Sequence, residues 1–208
     1  PPAIAVLPFK NLSNDEEQEY FADGITEDII ANLSLWKTFP VISRNSSFSF
    51  KNSTEKSDVI SKALGARYLV EGSVRKAGNK VRITAQLTSA DDDKQIWSKR
   101  WDRSLEDIFE VQDEVSRDVA ALISPALKDQ EQVKLSTKGK KNFGAWDEYL
   151  QGLNIYNTQD FVGTTLGDTV IEHCKRAIEL DANFCDAYVL YCNAVSYTHL
   201  RAHETELD

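Results

Sequence analysis

The stretch "ARYLVEGSVRKAGNKVRITAQLTSADDDKQIWSKRWD", residues 66–102, decides the fold, because it predicts three consecutive antiparallel strands. Apolar and polar residues alternate along its segments, which is the period of a strand with one buried face. Gly78 and Asn79 can adopt the positive φ angles of a tight turn between the first two strands, and the polar residues 90–94 supply the second turn. The sequence therefore predicts an antiparallel meander.

The residues before the meander predict a β-α-β-α order. "AIAVLPF" at residues 3–9 is a short apolar run, typical of a strand buried on both faces. Asp23 can cap an amphipathic helix that follows it. Residues 39–44 then predict a second strand, and residues 58–64 predict a second helix that Gly65 can end. This order favours parallel pairing with a right-handed crossover.

The residues after the meander predict one long helix and then a second unit. "SLEDIFEVQDEVSRDVAALISPAL" begins with Ser104 as a possible cap and carries an apolar stripe that can cover the sheet. We expect an α/β domain over residues 1–127, a solvated linker over 128–142 where lysines cluster, and helix pairs over 143–194. The predicted fold class is α/β, with a mixed sheet in the order β-α-β-α-β-β-β-α, followed by all-α helical hairpins.

Composition limits the classes of function. The chain has 208 residues, of which 41% are hydrophobic and 27% charged, as in ordinary globular proteins. A net charge of −9 argues against binding nucleic acid, because phosphate binding needs a dominant field of Lys and Arg. Cys174, Cys185 and Cys192 have no CxxC spacing, so we expect buried small residues rather than disulfides or a zinc site. Because the chain contains no methionine, we expect it to be part of a longer protein.

Two clusters could carry chemistry, and each has a structural alternative. Asp23, Glu27 and Asp28 could form an acid/base pair or bind a divalent ion, although acidic residues are also typical of the first turn of a helix. Trp97 and Trp101 fall on one side of the last strand, as a ligand platform or as cover for the core. In both cases the structural interpretation is favoured. We expect no catalytic residue, cofactor site or metal site.

Arginines in the meander offer a third cluster. Glu71 with Arg75, Arg82 and Arg100 could bind a carboxylate or phosphate, but cross-strand ion pairs on a solvated face are the commoner reason for such a pattern. The glycines and lysine of residues 72–80 do not have the spacing of a phosphate-binding loop. A small ligand on this domain therefore stays open, without an assigned site.

Five strings along the first domain resemble a known bacterial family. They are "IAVLPFKNLS", "EYFADGITEDIIANLS", "VISRNSSFSFK", "ARYLVEGSVRKAGNKVRITAQL" and "IWSKRWDRSLEDIFEVQDEVS", and the resemblance extends in the same order over about residues 4–127. Together they resemble the TolB-amino-terminal-like domain of proteins with an upstream adenylate/guanylate cyclase domain or CadC-type winged-helix domain and downstream tetratricopeptide repeats. The resemblance implies a membrane-anchored parent protein with this part beyond the inner membrane, and a membrane contact only through an upstream segment.

The second unit resembles tetratricopeptide repeats. "CKRAIELDANFCDAY", residues 174–188, is similar to the end of one repeat and the start of the next, with Ala177 at a position of close helix approach. Ala182 departs from the pattern, since such repeats usually place proline there. A protein partner bound through the repeats is what this resemblance implies.

The last residues contain a histidine pair that suggests a metal site. His199 and His203 are four residues apart, which would place both imidazoles on one helix face. However, "VSYTHLRAHET", residues 195–205, resembles the translation of a transposase adapter used to prepare sequencing libraries. We therefore expect residues 195–208 to be a non-native tail and assign no metal ligand in it.

The expected function is non-catalytic, with two alternatives. In the first, the chain is a sensory or protein-interaction module that binds a protein or small ligand and passes a signal to an upstream output domain. In the second, it is an envelope assembly or scaffold domain without signalling output. Exposed arginines and aromatic residues are the usual energetic anchors of interfaces. The candidate partner-binding residues are Arg44, Asn45, Ser46 and Ser47 in the loop after the second strand and Tyr149, Tyr156 and Tyr188 in the repeats.

Overall fold

The computed structural model describes residues 2–90, 94–124, 142–157 and 164–205, and the side chains of these except 164, 165 and 197–205. The chain divides into two compact units, Pro1–Lys138 and Gly139–Asp208, and each is described by itself. Nearly all of the predicted linker, residues 128–142, lies outside the described residues. The linker therefore stays a prediction.

The first unit is mixed α/β, as predicted. Short 3-10 helices lie at Glu16–Gln18 and Leu105–Asp107, immediately before the first and the last α-helix of this unit. Its elements are β1 (Ile4–Val6), β2 (Lys10–Asn11), α1 (Glu19–Ser34), α2 (Arg44–Phe48), α3 (Ser57–Leu64), β3 (Tyr68–Ala77), β4 (Lys80–Ser89), β5 (Lys94–Ser104) and α4 (Ile108–Ile123).

The predicted meander is confirmed. The sheet has the order β1-β3-β4-β5, and β2 pairs with β3 beyond the end of β1. β1 and β2 run parallel to β3, whereas β3–β4 and β4–β5 are antiparallel. Gly78 has a φ angle of 56° in the turn between β3 and β4, and Gly65 ends α3 with a φ angle of 64°. Both angles lie in the left-handed region that glycine adopts without steric cost.

The strand predicted at residues 39–44 is wrong. Only Val41 bridges to Ile4, while the Ile4 amide donates to the Pro40 carbonyl and the Ile42 amide donates to the Ile4 carbonyl. Pro40 has no N–H to donate, and the Ser43 side chain accepts from the Ser46 amide as the cap of α2. The segment therefore closes the edge of β1 and turns at once into a helix.

Neither predicted N-terminal helix cap makes the expected hydrogen bond. Asp15 accepts from the Glu17 amide and caps the 3-10 turn before α1, so Asp23 lies inside the helix. Ser104 donates its hydroxyl to the Asp107 carboxylate and caps no backbone amide. In each case the chain enters the helix through a 3-10 turn, which places the start of the α-helix after the residue at the N-cap position.

Helices cover the sheet unevenly. α1 and α4 pack together on one face, over the buried side chains of β3, β4 and β5, including Val74, Ile83 and Trp101. On the other face, among the described residues, α3 covers the β1–β3 end, where Ile60 packs with Leu7 and Leu69. The rest of that face carries polar side chains of β3, β4 and β5, and we call it the open face. Its residues are Glu71, Ser73, Arg75, Arg82, Thr84, Gln86, Ser98, Arg100 and Asp102.

The second unit is helical, as predicted. It contains α5 (Phe143–Asn157), α6 (Thr164–Leu180) and α7 (Cys185–Thr205), with α6 in contact with both of the others. Val170, Cys174, Leu190 and Ala194 form its buried cluster. α7 continues past residue 194 to Thr205, and the side chains of the predicted tail lie almost entirely outside those described. None of the helices, within the described parts of the chain, is long and apolar enough to cross a membrane.

Candidate functional site

Arg44 is held between two partners at the start of α2. Its Nε atom donates to the Glu27 Oε2 atom of α1 at 2.9 Å, and its guanidinium lies 4.2 Å from the centre of the Phe48 ring. The side chain is 32% exposed, so it is fixed in place and still accessible. Because the Arg44 side chain is already held in one conformation, binding a partner would cost it little further conformational entropy, as is favourable for an interface anchor.

The other three predicted residues of this segment differ in accessibility. Asn45 and Ser46 are exposed, whereas Ser47 is fully buried. The predicted loop is a helical turn, and this turn rotates Ser47 toward the interior. Ser47 therefore cannot contact a partner in this structure. The prediction that it binds one is corrected, because Ser47 is a buried residue. The partner-binding role of Arg44, Asn45 and Ser46 stays a prediction.

An ion-pair cluster fastens the α2 segment to α1. The Lys51 Nζ atom lies 2.6 Å from the Asp23 Oδ2 atom and 3.2 Å from the Glu19 Oε1 atom, beside the pair of Arg44 and Glu27. Burial raises the pKa of Asp23, and the hydrogen bond and charge of Lys51 oppose this rise. Asp23 and Glu27 are thus partners of cations, in place of the acid/base pair considered from the sequence.

The sequence did not predict that Lys51 belongs to this cluster or that the carboxylates of α1 pair with the α2 segment, although the spacing of these carboxylates indicated such a contact. Glu19, Asp23 and Glu27 recur every fourth residue, which places the three carboxylates on one face of α1. An acidic stripe of this kind indicates a cationic segment packed beside the helix. The segment from Arg44 to Lys51 carries cations at both ends.

Arginines on the open face share one carboxylate. The Arg82 Nε atom lies 2.5 Å from the Asp102 Oδ1 atom, and the Arg100 Nε atom lies 3.4 Å from the Oδ2 atom. The hydrogen bond from Arg82 lowers the pKa of Asp102. Glu71 instead accepts a hydrogen bond from the Gln86 side chain, so its expected pairing with the arginines is not observed in the described residues. Cross-strand ion pairing is confirmed for Arg82.

Trp101 covers the core beneath α4, which is the structural role favoured from the sequence. It is 2% exposed, and its Nε1 atom donates to the Glu114 Oε2 atom at 2.7 Å. This hydrogen bond, with help from Lys99, lowers the pKa of Glu114. Trp97 lies beside it, with 5.9 Å between the ring centroids. Trp101 therefore belongs to the contact between β5 and α4.

The three predicted tyrosines do not share one surface role. Tyr149 and Tyr156 are partly buried against the core of the second unit, and Tyr149 also meets the Phe184 ring at 5.1 Å between centroids. Tyr188 on α7 is 42% exposed. Tyr188 is therefore the most accessible of the three, and the partner-binding role of the set stays a prediction.

The cysteines correct one expectation. Cys174 is buried, and burial raises the pKa of its thiol to about 11. Cys185 and Cys192 are exposed on α7, so the expectation that all three are buried is wrong. Among the described residues, no group of three His, Cys, Asp or Glu side chains is placed to hold a metal ion. The side chains of His199 and His203 lie outside this description.

The chain is similar to a curated bacterial protein. It is 49% identical over 146 residues to the protein named "Putative adenylate cyclase 3" of Rhizobium meliloti (strain 1021). The match covers 70% of this chain and 25% of that protein, so the chain spans about a quarter of the relative. No model of a known protein family matches the chain.

Several solved structures resemble parts of the chain distantly. TolB from Acinetobacter baumannii is 18% identical with a TM-score of 0.45, and the match covers 60% of this chain and 28% of TolB. The C-terminal domain of LpoB from Salmonella enterica is 18% identical with a TM-score of 0.41, over 50% of this chain and 82% of that domain. Lipoprotein GNA1162 from Neisseria meningitidis is 17% identical with a TM-score of 0.44, over 58% of this chain and 99% of the lipoprotein.

Proposed function

We propose that this chain is a non-catalytic protein-binding region that acts as an assembly or scaffold element of a bacterial envelope protein. The observation that carries the proposal is Arg44, an accessible guanidinium already held by Glu27 and Phe48. Next to it, Asn45 and Ser46 expose an amide and a hydroxyl. Fixed arginines beside adaptable polar groups are typical of the energetic centres of protein interfaces.

The second unit also exposes large apolar side chains. Leu180, Tyr188 and Val189 are 50%, 42% and 60% exposed on α6 and α7. The resemblance to tetratricopeptide repeats supports a helical surface that receives a protein segment. In this proposal the two units bind different parts of one assembly, and the described residues need no chemical step to do so.

Assembly comes first among the alternatives because binding is what these residues can do by themselves. The resemblance to TolB-amino-terminal-like domains supports it, since TolB-like domains act in the envelope by binding partner segments. A signalling role needs, in addition, an output domain that lies outside this chain.

A signalling role is the second candidate, favoured by the 49% identity to a protein whose name contains adenylate cyclase. Any cyclase activity would then belong to the three quarters of such a protein that this chain does not match. The chain would be the sensory part that passes binding of a protein or small ligand to that output domain. Arg44 and Tyr188 would be anchors in this case also.

The proposal is tested by photo-crosslinking in the native bacterium. A photo-crosslinking amino acid is introduced at Asn45 of the full-length protein, and at Arg117 as a control on the exposed side of α4. We expect one discrete crosslinked protein from position 45, none from position 117, and loss of the crosslink when Arg44→Ala is added. The same products from both positions, or no product from position 45, would overturn the proposal.

The two candidate functions differ in what the Arg44→Ala strain loses. If the chain is an assembly element, the strain becomes sensitive to detergent and large antibiotics while its cyclic nucleotide level stays that of the parent. If the chain is a sensor, the cyclic nucleotide level or target transcription changes while the envelope barrier stays intact. Arg117→Ala serves as the matched control for both readings.

A further inference from the structure

We propose that the outer edge of β5 binds an extended acidic segment of a partner protein, which adds to the sheet as a further strand beside β5. The inference deepens the proposed function, because it assumes that the chain binds proteins and adds the chemical class of one partner. It concerns a surface distinct from the one around Arg44, so the two can be tested separately.

The outer edge of β5 is long, and no strand among the described residues pairs with it. β5 spans eleven residues, Lys94–Ser104, and eight of them are exposed. Within the described residues β5 pairs only with β4, so one row of its backbone N–H and C=O groups faces outward. By contrast, the opposite end of the sheet is closed, because residues 40–42 make backbone hydrogen bonds to β1. Unpaired edge groups are the template on which an extended peptide adds a strand.

The side chains of β5 alternate between α4 and the open face, so an added strand would meet the open-face row on one of its two sides. Trp101, Lys99 and Arg103 point toward α4, where Glu114 contacts all three of them. Ser98, Arg100 and Asp102 lie in register on the opposite, open face of the sheet. Side chains of an added strand would therefore lie beside this second row, with exposed Ile96 (47%) at one end to pack against an apolar residue.

Charge determines which kind of strand fits. β5 contains four cationic residues and one aspartate, in a chain whose net charge is −9. Lys99 and Arg103 are paired with carboxylates of α4, but Arg100 is 64% exposed and shares Asp102 with Arg82. The open face thus has two guanidiniums for one carboxylate at this point. A carboxylate on the neighbouring strand would supply the second partner.

The same charges disfavour a second copy of this chain as the occupant. Two β5 strands paired edge to edge would bring together two copies of the open face, each with two guanidiniums, Arg82 and Arg100, for one carboxylate, Asp102. Like charges directly opposite each other destabilise a strand pair, and lysine on an edge is a common device against self-pairing. A foreign acidic strand meets attraction where a second copy meets repulsion.

The test uses the full 208-residue chain and three fluorescent peptides of equal length. The first peptide alternates Glu and Val, the second has Lys in place of every Glu, and the third is the first with a central proline. Binding is measured by fluorescence anisotropy, and hydrogen exchange locates the protected amides. We expect only the first peptide to bind, with protection of amides in β5 and none in α1.

Variants separate strand addition from general attraction. Arg100→Glu should weaken binding of the Glu-Val peptide by roughly tenfold, since it replaces an attraction by a repulsion at one exposed pair. Arg117→Glu makes the same charge change on α4 and should leave the affinity within about twofold. Both variants are checked by circular dichroism for an unchanged fold.

Several outcomes would overturn the proposal. Equal binding of the proline-interrupted peptide, equal weakening by Arg117→Glu, or protection outside β5 would show attraction without strand addition. No binding of the Glu-Val peptide would mean that the charged edge only prevents pairing. In each of these cases the crosslink at Asn45 can still form, so failure here is distinguishable from failure of the proposed protein-binding role.

Discussion

Gly72 is the position in β3 where a single methyl group should be most disruptive. A Cβ atom there would lie 2.4 Å from the Phe9 Cε2 atom and 2.6 Å from the Thr84 carbonyl oxygen. The Phe9 ring is 1% exposed, and the carbonyl belongs to the backbone of β4, paired with β3. Neither neighbour can move away without losing packing or sheet hydrogen bonds, because interiors are close-packed.

The expected loss for Gly72→Ala follows from these distances. Overpacking a filled core costs typically about 1 to 3 kcal/mol, and contact with backbone places this case at the upper end. Alanine also lowers the conformational entropy of the unfolded chain, and this effect stabilises the folded state by about 0.4 to 1 kcal/mol. We therefore expect Gly72→Ala to lower the free energy of unfolding of the first unit by about 2 kcal/mol.

The assay is urea unfolding followed by tryptophan fluorescence in a Trp146→Phe background. Three of the four tryptophans lie in the first unit, so this background makes the signal report that unit alone. In a further Phe9→Leu background, which shortens the clashing side chain, the loss from Gly72→Ala should fall by about 1 kcal/mol or more.

Gly78→Ala is the matched control, because its Cβ would meet nothing within 4 Å. It should cost about 1 to 2 kcal/mol through its positive φ angle, equally with and without Phe9→Leu. A Gly72→Ala variant within about 0.5 kcal/mol of the parent would refute the reasoning. So would a loss that is the same in both Phe9 backgrounds.

Three further predictions concern the Glu114 carboxyl group, the three thiols and the sequence from residue 195 onward. In the folded state the pKa of Glu114 is lower than its ordinary value of 4.5, so its ionised form stabilises the fold above pH 4.5, and this stabilisation is lost as the pH falls through the lowered pKa. Glu114→Gln should therefore flatten the acid limb of a curve of unfolding free energy against pH. An unchanged acid limb would contradict the contact with Trp101. Ellman's reagent should react quickly with Cys185 and Cys192 in the native chain and with Cys174 only on unfolding. The reason is that the Cys174 thiol is buried and has a pKa of about 11. Rapid reaction of all three cysteines would contradict the packing of α6. Sequencing of the native gene without a transposase step should show residues other than the tail from position 195 onward, and recovery of "THLRAHE" from genomic DNA would contradict the adapter interpretation.

The sequence by itself determined the meander and three helices of the first unit, α1, α3 and α4. Alternation over residues 66–102, with Gly78 at a position that needs a positive φ angle, leaves few other structures for that stretch. Gly65 at the end of α3 is a local signal of the same kind. These predictions hold because the period of two and the left-handed angle are properties of a few neighbouring residues.

Only the tertiary structure decided the conformation and the contacts of the residues around the candidate site. Residues 39–44 carry apolar and β-branched side chains that favour a strand, yet backbone bonds from Ile4 and the cap at Ser43 divide them between a bridge and a helix. That helical turn buries Ser47 and aims Arg44 at Glu27, seventeen residues earlier in the chain. Hydrogen bonds, ion pairs and burial between distant segments depend on how the elements pack, and local periodicity carries no information about that packing.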